Sequence, residues 1–207
     1  MIRIVIVIFI VGFFAADTSG QADNTLWATV RLRIVPNDKN AIDIRPISRF
    51  HENYSDYRNS SIDIAYRRKL SPLITLGLLS RTWFLKDGRN RQFVWPAILL
   101  KKKSGKTTFD TRFMYHWALD IKEVPDADFF RVKSAVGYPL GAKMSAKLAI
   151  EGWYQFDEQN DINRIRFELS LGYKLSDHIS AGILYRREND KIRPDFDMIV
   201  TTITYQI

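Results

Sequence analysis

The sequence predicts an all-β chain that closes into an antiparallel, up-and-down β-barrel of about 10–12 strands. Three observations favour this fold class. Apolar residues recur at every second position through most of the chain, the connections between these segments alternate between short and long, and aromatic residues concentrate near the segment ends. No segment after the N-terminus has the 3.6-residue period of a convincing amphipathic helix.

The N-terminus has the layout of a secretory signal peptide. "MIRIVIVIFIVGFFAADTSGQAD" places Arg3 before an apolar run at residues 4–14, and small residues follow. This run is shorter than the ~20 residues that a membrane-spanning helix needs. We therefore expect a signal peptide at residues 1–22, cleaved after Ala22, and one mature domain at residues 23–207. Cysteine is absent from the sequence, which excludes a disulfide framework and a thiol-linked lipid anchor.

Eleven candidate strands follow. The clearest is "RIRFELSLGYKL", in which Ile165, Phe167 and Leu169 share one face while Arg164 and Arg166 share the other. In chain order the candidates lie at residues 25–35, 41–51, 60–70, 73–85, 93–101, 108–120, 129–140, 143–156, 164–175, 178–188 and 196–207. Each alternates with period two, as a strand with one apolar and one polar face does.

The connections indicate a membrane barrel. The short connections are "KLSPL", "KSGK", "PLGA" and "LSDH", and the long polar ones are "LKDGRNRQ", "DIKEVPDAD", "FDEQNDIN" and "ENDKIRPD". Short periplasmic turns and longer outer loops are the rule for outer-membrane barrels.

Aromatic residues near the strand ends predict two belts at the membrane interfaces. We expect the belt at the long-loop rim to contain Phe84, Phe93, Trp95, Trp117, Phe130, Tyr154, Phe156 and Phe196, and the belt at the tight-turn rim to contain Tyr66, Phe109, Tyr138, Tyr173 and Tyr205. The alternative is a soluble periplasmic β-barrel or sandwich, which also alternates apolar and polar residues and suits a mean hydropathy of −0.20.

The layout resembles an uncharacterised family of Gram-negative outer-membrane β-barrels, classed as a domain of unknown function. The resemblance rests on Trp27 soon after the signal peptide, on "RPISRF" in the second strand and on the closing hairpin "RIRFELSLGYKLSDHISAGILYRR". It implies an outer-membrane barrel over most of the mature chain. The C-terminus "TTITYQI" is similar to the closing strand that outer-membrane assembly machinery reads, but it ends in Ile207 where an aromatic residue is usual.

Strand number is the open point. Single-chain bacterial barrels normally have an even number of strands, which favours ten or twelve. With ten strands beginning near Ala41, the segment "TLWATVRLRIV" is surplus unless it pairs with the last strand at the seam.

The polar rows predict a basic lumen. The chain carries 31 Lys and Arg against 23 Asp and Glu, for a net charge of +8. The inward cations are Arg31, Arg33, Arg45, Arg49, Arg67, Lys69, Arg81, Arg112, Arg131, Lys133, Lys143, Lys147, Arg164, Arg166, Lys174 and Arg186, and the inward acids are Asp43, Asp63, Asp110, Asp120, Glu151, Glu168 and Glu188. This set favours a lumen filled by cross-strand pairs, and the alternative is a binding or permeation path for a small anionic solute.

The cations alternate along strands and form no single patch, which argues against nucleic-acid binding. The one dense run, "KKKSGK" at residues 101–106, is typical of a solvated turn and could also contact anionic lipid headgroups. The expected partners are outer-membrane lipid, the assembly machinery, and a small anionic solute or lipid headgroup.

One pair of residues indicates a catalytic alternative. His178 and Ser180 have the His-x-Ser spacing of outer-membrane phospholipases and lipid A deacylases, which makes a lipid hydrolase the runner-up function. However, the connection pattern puts His178 at the tight-turn rim. Asp177 points to the other face and Glu168 lies far along the neighbouring strand, so no third catalytic group is identifiable. The sequence contains no phosphate-binding loop and no metal-ligand cluster, and it predicts no cofactor. We therefore expect a non-enzymatic outer-membrane barrel with a structural, binding or anion-transport role.

Overall fold

The structure is a computed structural model that describes residues 25–51, 56–86, 88–118, 128–156, 161–191 and 196–207. The predicted signal peptide at residues 1–22 lies outside the described residues. The strands are β1 (Thr25–Asn37), β2 (Asn40–His51), β3 (Asp56–Lys69), β4 (Ile74–Leu85), β5 (Asn90–Ser104), β6 (Thr107–Ala118), β7 (Asp128–Pro139), β8 (Met144–Phe156), β9 (Ile162–Lys174), β10 (Ile179–Asp190) and β11 (Phe196–Gln206). No helix among the described residues is long and apolar enough to cross a membrane.

The eleven strands form one closed barrel in which every strand pairs with its neighbours in sequence. All of these pairs are antiparallel, which confirms the predicted all-β, up-and-down barrel. The eleven candidate segments of the sequence correspond one by one to the eleven strands.

The closing pair differs from the expectation of an even strand number. Strands β1 and β11 pair in parallel, with Thr25 opposite Met198 and Arg33 opposite Gln206. Both strands run from the long-loop rim to the tight-turn rim, so an odd number of alternating strands must close with one parallel pair. The preference for ten or twelve strands was therefore wrong, whereas the predicted range of 10–12 strands is confirmed. The segment that looked surplus pairs with the last strand at the seam.

The tight turns have local causes in the sequence. In "LSPL" and "LSDH" a serine occupies the second position, and its hydroxyl accepts a hydrogen bond from the backbone amide that starts the next strand. These bonds are Ile74 N to Ser71 Oγ at 3.0 Å and Ile179 N to Ser176 Oγ at 3.0 Å. The "KSGK" turn instead uses Gly105 at φ 57°, a conformation that other residues rarely adopt.

The two faces of the wall have opposite chemistry. The outer face exposes large apolar side chains, among them Ile64, Leu148, Phe167 and Ile183, while the inner face buries Asp63, Glu151 and Glu188 almost completely. A soluble protein has the reverse arrangement, with apolar side chains inside and charges outside. The described barrel therefore has an apolar outer face and buries its charged groups on the inner face, as membrane barrels do.

Candidate functional site: the charged lumen

Each buried carboxylate on the inner face is held by two or three cations from neighbouring strands. Asp63, at 0% exposure, accepts from Arg81 at 2.5 and 2.7 Å and lies 3.1 Å from Arg45. Asp43 lies between Arg33, at 2.9 Å, and Arg67. The predicted cross-strand pairing of the lumen is present here.

Glu151 is the centre of the largest cluster. One carboxylate oxygen accepts from Arg131 at 2.8 Å and from Arg112 at 3.0 Å, and the other accepts from Arg166 and from Trp153 Nε1, each at 3.3 Å. The residue is only 1% exposed. Three guanidinium groups around one carboxylate leave a local excess of positive charge.

Two further carboxylates extend this cluster around the wall. Glu168 pairs with Lys133 and, at 2.8 Å, with Arg186. Glu188 pairs with Arg166 and, at 3.0 Å, with Arg164. Because Arg166 contacts both Glu151 and Glu188, β8, β9 and β10 share one continuous charge network.

Tryptophan rings fill the space beside these charges. The guanidinium carbons of Arg131, Arg166 and Arg164 lie 3.8, 4.2 and 4.7 Å from the centroid of the Trp153 ring. The guanidinium carbon of Arg81 lies over the Trp95 ring in the same way, 4.6 Å from the ring centroid. Cation–π contacts of this kind stabilise cations that are removed from water, so the arginines form a packed filling.

An aromatic cluster lines the lumen on the β4–β7 side. Phe93 stacks on His116 with ring centroids 4.8 Å apart, and Trp95 meets the same histidine edge-on at 5.1 Å. Phe93 also contacts Trp83, and Phe129 lies 5.6 Å from His116. His116 is thus a buried ring in an aromatic cluster.

This cluster corrects the predicted aromatic belts. Phe93 and Trp95 are 3% and 5% exposed and face the lumen, and Phe196 lies on the same inner row, opposite Glu188. The prediction failed because "FVWPAILL" is apolar on both faces, so its period does not reveal which face is outward. Other members of the two belts, such as Trp117 and Tyr173, do point outward.

The largest cluster is bordered by a small cavity in the half of the lumen nearer the tight turns. Its volume is about 80 Å³, and its lining includes Arg31, Arg45, Arg67, Arg112 and Asp43. The rest of the lining includes two small residues, Gly77 and Ala97, among larger apolar side chains such as Trp95. Gly77 and Ala97 leave room where much of the inner face is filled.

The predicted catalytic pair lies at the tight-turn rim. His178 is an exposed turn residue whose Nδ1 lies 3.0 Å from the backbone oxygen of Gln206, and Ser180 is on the inner row of β10, opposite Thr204. The carboxylate of Asp177 accepts a hydrogen bond from Lys174 at 2.6 Å, which lowers the pKa of that carboxyl. Asp177 is the carboxylate of this turn, and no hydrogen bond joins it to His178 among the described residues.

Metal binding has no support in the described part of the chain, where no group of three or more His, Cys, Asp or Glu is placed to hold an ion. The inward acid predicted at Asp120 lies outside the described residues.

A protein-family model matches most of the chain. Residues 24–197 match the family described as "Protein of unknown function (DUF2490)". The chain belongs to this family. No curated protein sequence matches the chain.

Two solved structures are similar to the DUF2490 barrel. A NanC porin aligns with a TM-score of 0.52 at 13% identity, over 76% of this chain and 78% of the porin chain. A chain from a study of the in-meso crystallization of membrane proteins aligns with a TM-score of 0.41 at 14% identity, over 81% of this chain and 71% of the other. The first likeness identifies the fold as a porin-like β-barrel.

Proposed function

We propose that this DUF2490 protein is an outer-membrane β-barrel that binds anionic solutes in a lumen closed to free ion flow. The observation that carries the proposal is the cluster around Glu151, in which Arg131, Arg112 and Arg166 meet one carboxylate and the ring of Trp153.

The location follows from the chemistry of the two faces. An outer face of exposed Ile, Leu and Phe side chains is stable in lipid and unfavourable in water, and the porin-like fold supports the same location. The predicted signal peptide at residues 1–22 supplies the route across the inner membrane.

Burial supports the closed lumen. Asp63, Glu151 and Glu188 are at most 1% exposed although they point into the barrel, because neighbouring side chains cover them. A permeation path would instead leave its charged ring in contact with water. The filling by Arg and Trp side chains suits a narrow barrel of this strand number.

The preference for anions follows from the balance of charge. The inner face has more guanidinium and ammonium groups than carboxylates, and rings of Arg and Lys favour anions. A solute with negative charge would gain from this excess, whereas a cation would be repelled.

Two measurements test the proposal. For the location, the protein should be recovered in the outer-membrane fraction and should migrate differently in a detergent gel before and after boiling. For the closed lumen, the refolded wild-type chain in planar bilayers should give no stable unitary conductance. Recovery in the soluble periplasmic fraction, or well-defined conductance steps, would contradict the corresponding half of the proposal.

A further inference from the structure

The cavity beside the Glu151 cluster has the properties of an anion site. Four arginines, Arg31, Arg45, Arg67 and Arg112, line about 80 Å³ of space with a single carboxylate, that of Asp43. This volume accommodates several water molecules. It is too small for an oligosaccharide but suits one tetrahedral oxyanion, either free or as the end group of a larger solute.

Hydrogen-bond donors in this lining lack partners. The Nε atoms of Arg31 and Arg45 are buried and have no hydrogen-bond partner among the described residues. Arg45 and Arg112 each use an Nη2 group on Asp63 and Glu151, at 3.1 and 3.0 Å. Since a buried donor without a partner is costly, an acceptor in the cavity would stabilise the site.

The nearest mouth of the barrel is strongly basic. The tight turns and the strand ends beside them carry Lys39, Arg68, Lys69, Lys101, Lys102, Lys103, Lys106, Lys143 and Lys174, against Asp38, Asp110 and Asp177. Such a rim raises the local concentration of anions and speeds their entry. It leads to the half of the lumen that contains the cavity.

We infer that the cavity is a binding site for a tetrahedral oxyanion, of the phosphate or sulfate class, which enters from the tight-turn rim and stops at the Glu151 cluster. This inference rests on the proposed anion-binding function and adds to it the position of the site, the ligand class and the side of entry. The guanidinium groups of Arg31 and Arg45 supply the donors that have no hydrogen-bond partner among the described residues.

The test is calorimetric titration of the detergent-solubilised full-length mature barrel with inorganic phosphate at constant ionic strength in chloride. Wild-type protein should bind with a saturable signal. Arg31→Gln should weaken binding by about tenfold or more, because a charge-assisted hydrogen bond is lost. Lys102→Gln removes one charge from the outward face of the same rim and should change binding by less than about twofold.

A second pair of variants separates the cavity from the general charge of the lumen. Ala97→Leu fills the cavity without changing charge and should abolish binding. If it does not fold, as judged by heat-modifiable migration, Gly77→Ala replaces it, since a Cβ at Gly77 would lie 3.3 Å from Leu99 Cδ1 and 3.5 Å from Ala97 Cβ.

The outcomes are distinguishable from those of the proposed function. Binding that survives both Arg31→Gln and the cavity-filling variant would overturn the site but leave the proposed anion binding intact elsewhere in the lumen. Absence of phosphate binding by the wild type would contradict both the site and the proposed anion binding. Neither result bears on the outer-membrane location or on the closed lumen, which fail only through the fractionation and conductance measurements.

Discussion

Glu151→Gln should be among the most destabilising changes of charge in the barrel. The substitution keeps the shape of the side chain but removes the one carboxylate that pairs with Arg131 among the described residues, at 2.8 Å. Arg166 keeps Glu188 as a partner, and Arg112 is 31% exposed and can be hydrated. Arg131 is left as a buried cation with no compensating charge, a defect that costs about 3–5 kcal/mol.

The measurement is urea unfolding of the refolded protein in lipid vesicles, with Asp110→Asn as the matched control. Asp110→Asn also removes one carboxylate. Asp110 pairs with Lys147 at 2.6 Å, and the two side chains are 28% and 41% exposed, respectively. Pairs in contact with water contribute about 0–1 kcal/mol. The two variants therefore remove the same charge from the same inner face, but they should differ several-fold in how much they lower the free energy of unfolding.

A double variant tests whether the uncompensated Arg131 cation causes the loss of stability. Replacing Arg131 with Met in the Glu151→Gln background removes the uncompensated cation, so part of the lost stability should return. If Glu151→Gln lowers the free energy of unfolding by less than about 1 kcal/mol, as the control should, the centre of the lumen is hydrated and the proposal of a closed lumen is wrong.

Three more substitutions test other parts of the molecule. Phe93→Ala should cost about 3–5 kcal/mol in urea unfolding, because the ring is 3% exposed in the lumen, whereas Phe109→Ala, 47% exposed on the outer face, should cost clearly less; equal costs would contradict the inward assignment of Phe93. Ile183→Arg should cost about 2–4 kcal/mol in lipid, since the residue points outward near the middle of β10, while Leu184→Arg on the inner row should be better tolerated; the reverse order would mean that the faces are exchanged. Ser180→Ala should leave hydrolysis of labelled phospholipid at the level of the wild type, and a loss of activity would revive the lipid-hydrolase alternative.

Local patterns in the sequence were sufficient to predict the strands and to assign many of the cations to the inner face. Alternation assigns Arg164, Arg166 and Glu168 to one row and Ile165 and Phe167 to the other, and the structure has them so. The reason is that the side-chain period of a strand is two, so a single charged residue fixes the face of its whole row.

Relations between distant strands could not be predicted. Arg112 reaches Glu151, and Lys147 reaches Asp110, across the intervening strand β7, and both contacts depend on the stagger of the closed barrel. The same holds for the cavity, which exists only where Gly77 and Ala97 come to face Arg31 and Arg45. Register and closure are properties of the assembled sheet, so no single segment contains them.

The prediction for the inward-facing aromatic residues was wrong for another reason. In β5 the run from Phe93 to Leu100 is apolar on both faces, and only Arg91 and Lys101, at its two ends, mark the inner row. Counting parity from these two cations would have assigned Phe93 and Trp95 to the lumen.

The proposed closed lumen depends on the parallel seam between β1 and β11, and a disulfide tests this seam directly. Ala28 and Thr201 are register partners that both point outward, and the chain contains no other cysteine that could interfere. The variant Ala28→Cys/Thr201→Cys should form an intrachain disulfide on mild oxidation, seen as a shift in a non-reducing gel. Ser48→Cys/Thr201→Cys should not, because Ser48 pairs with Ala28 and lies two strands, or roughly 9.6 Å, from Thr201. A bridge in the second variant and none in the first would mean that β2 closes on β11 in a ten-stranded barrel, which would contradict the eleven-stranded wall and the lumen built on it.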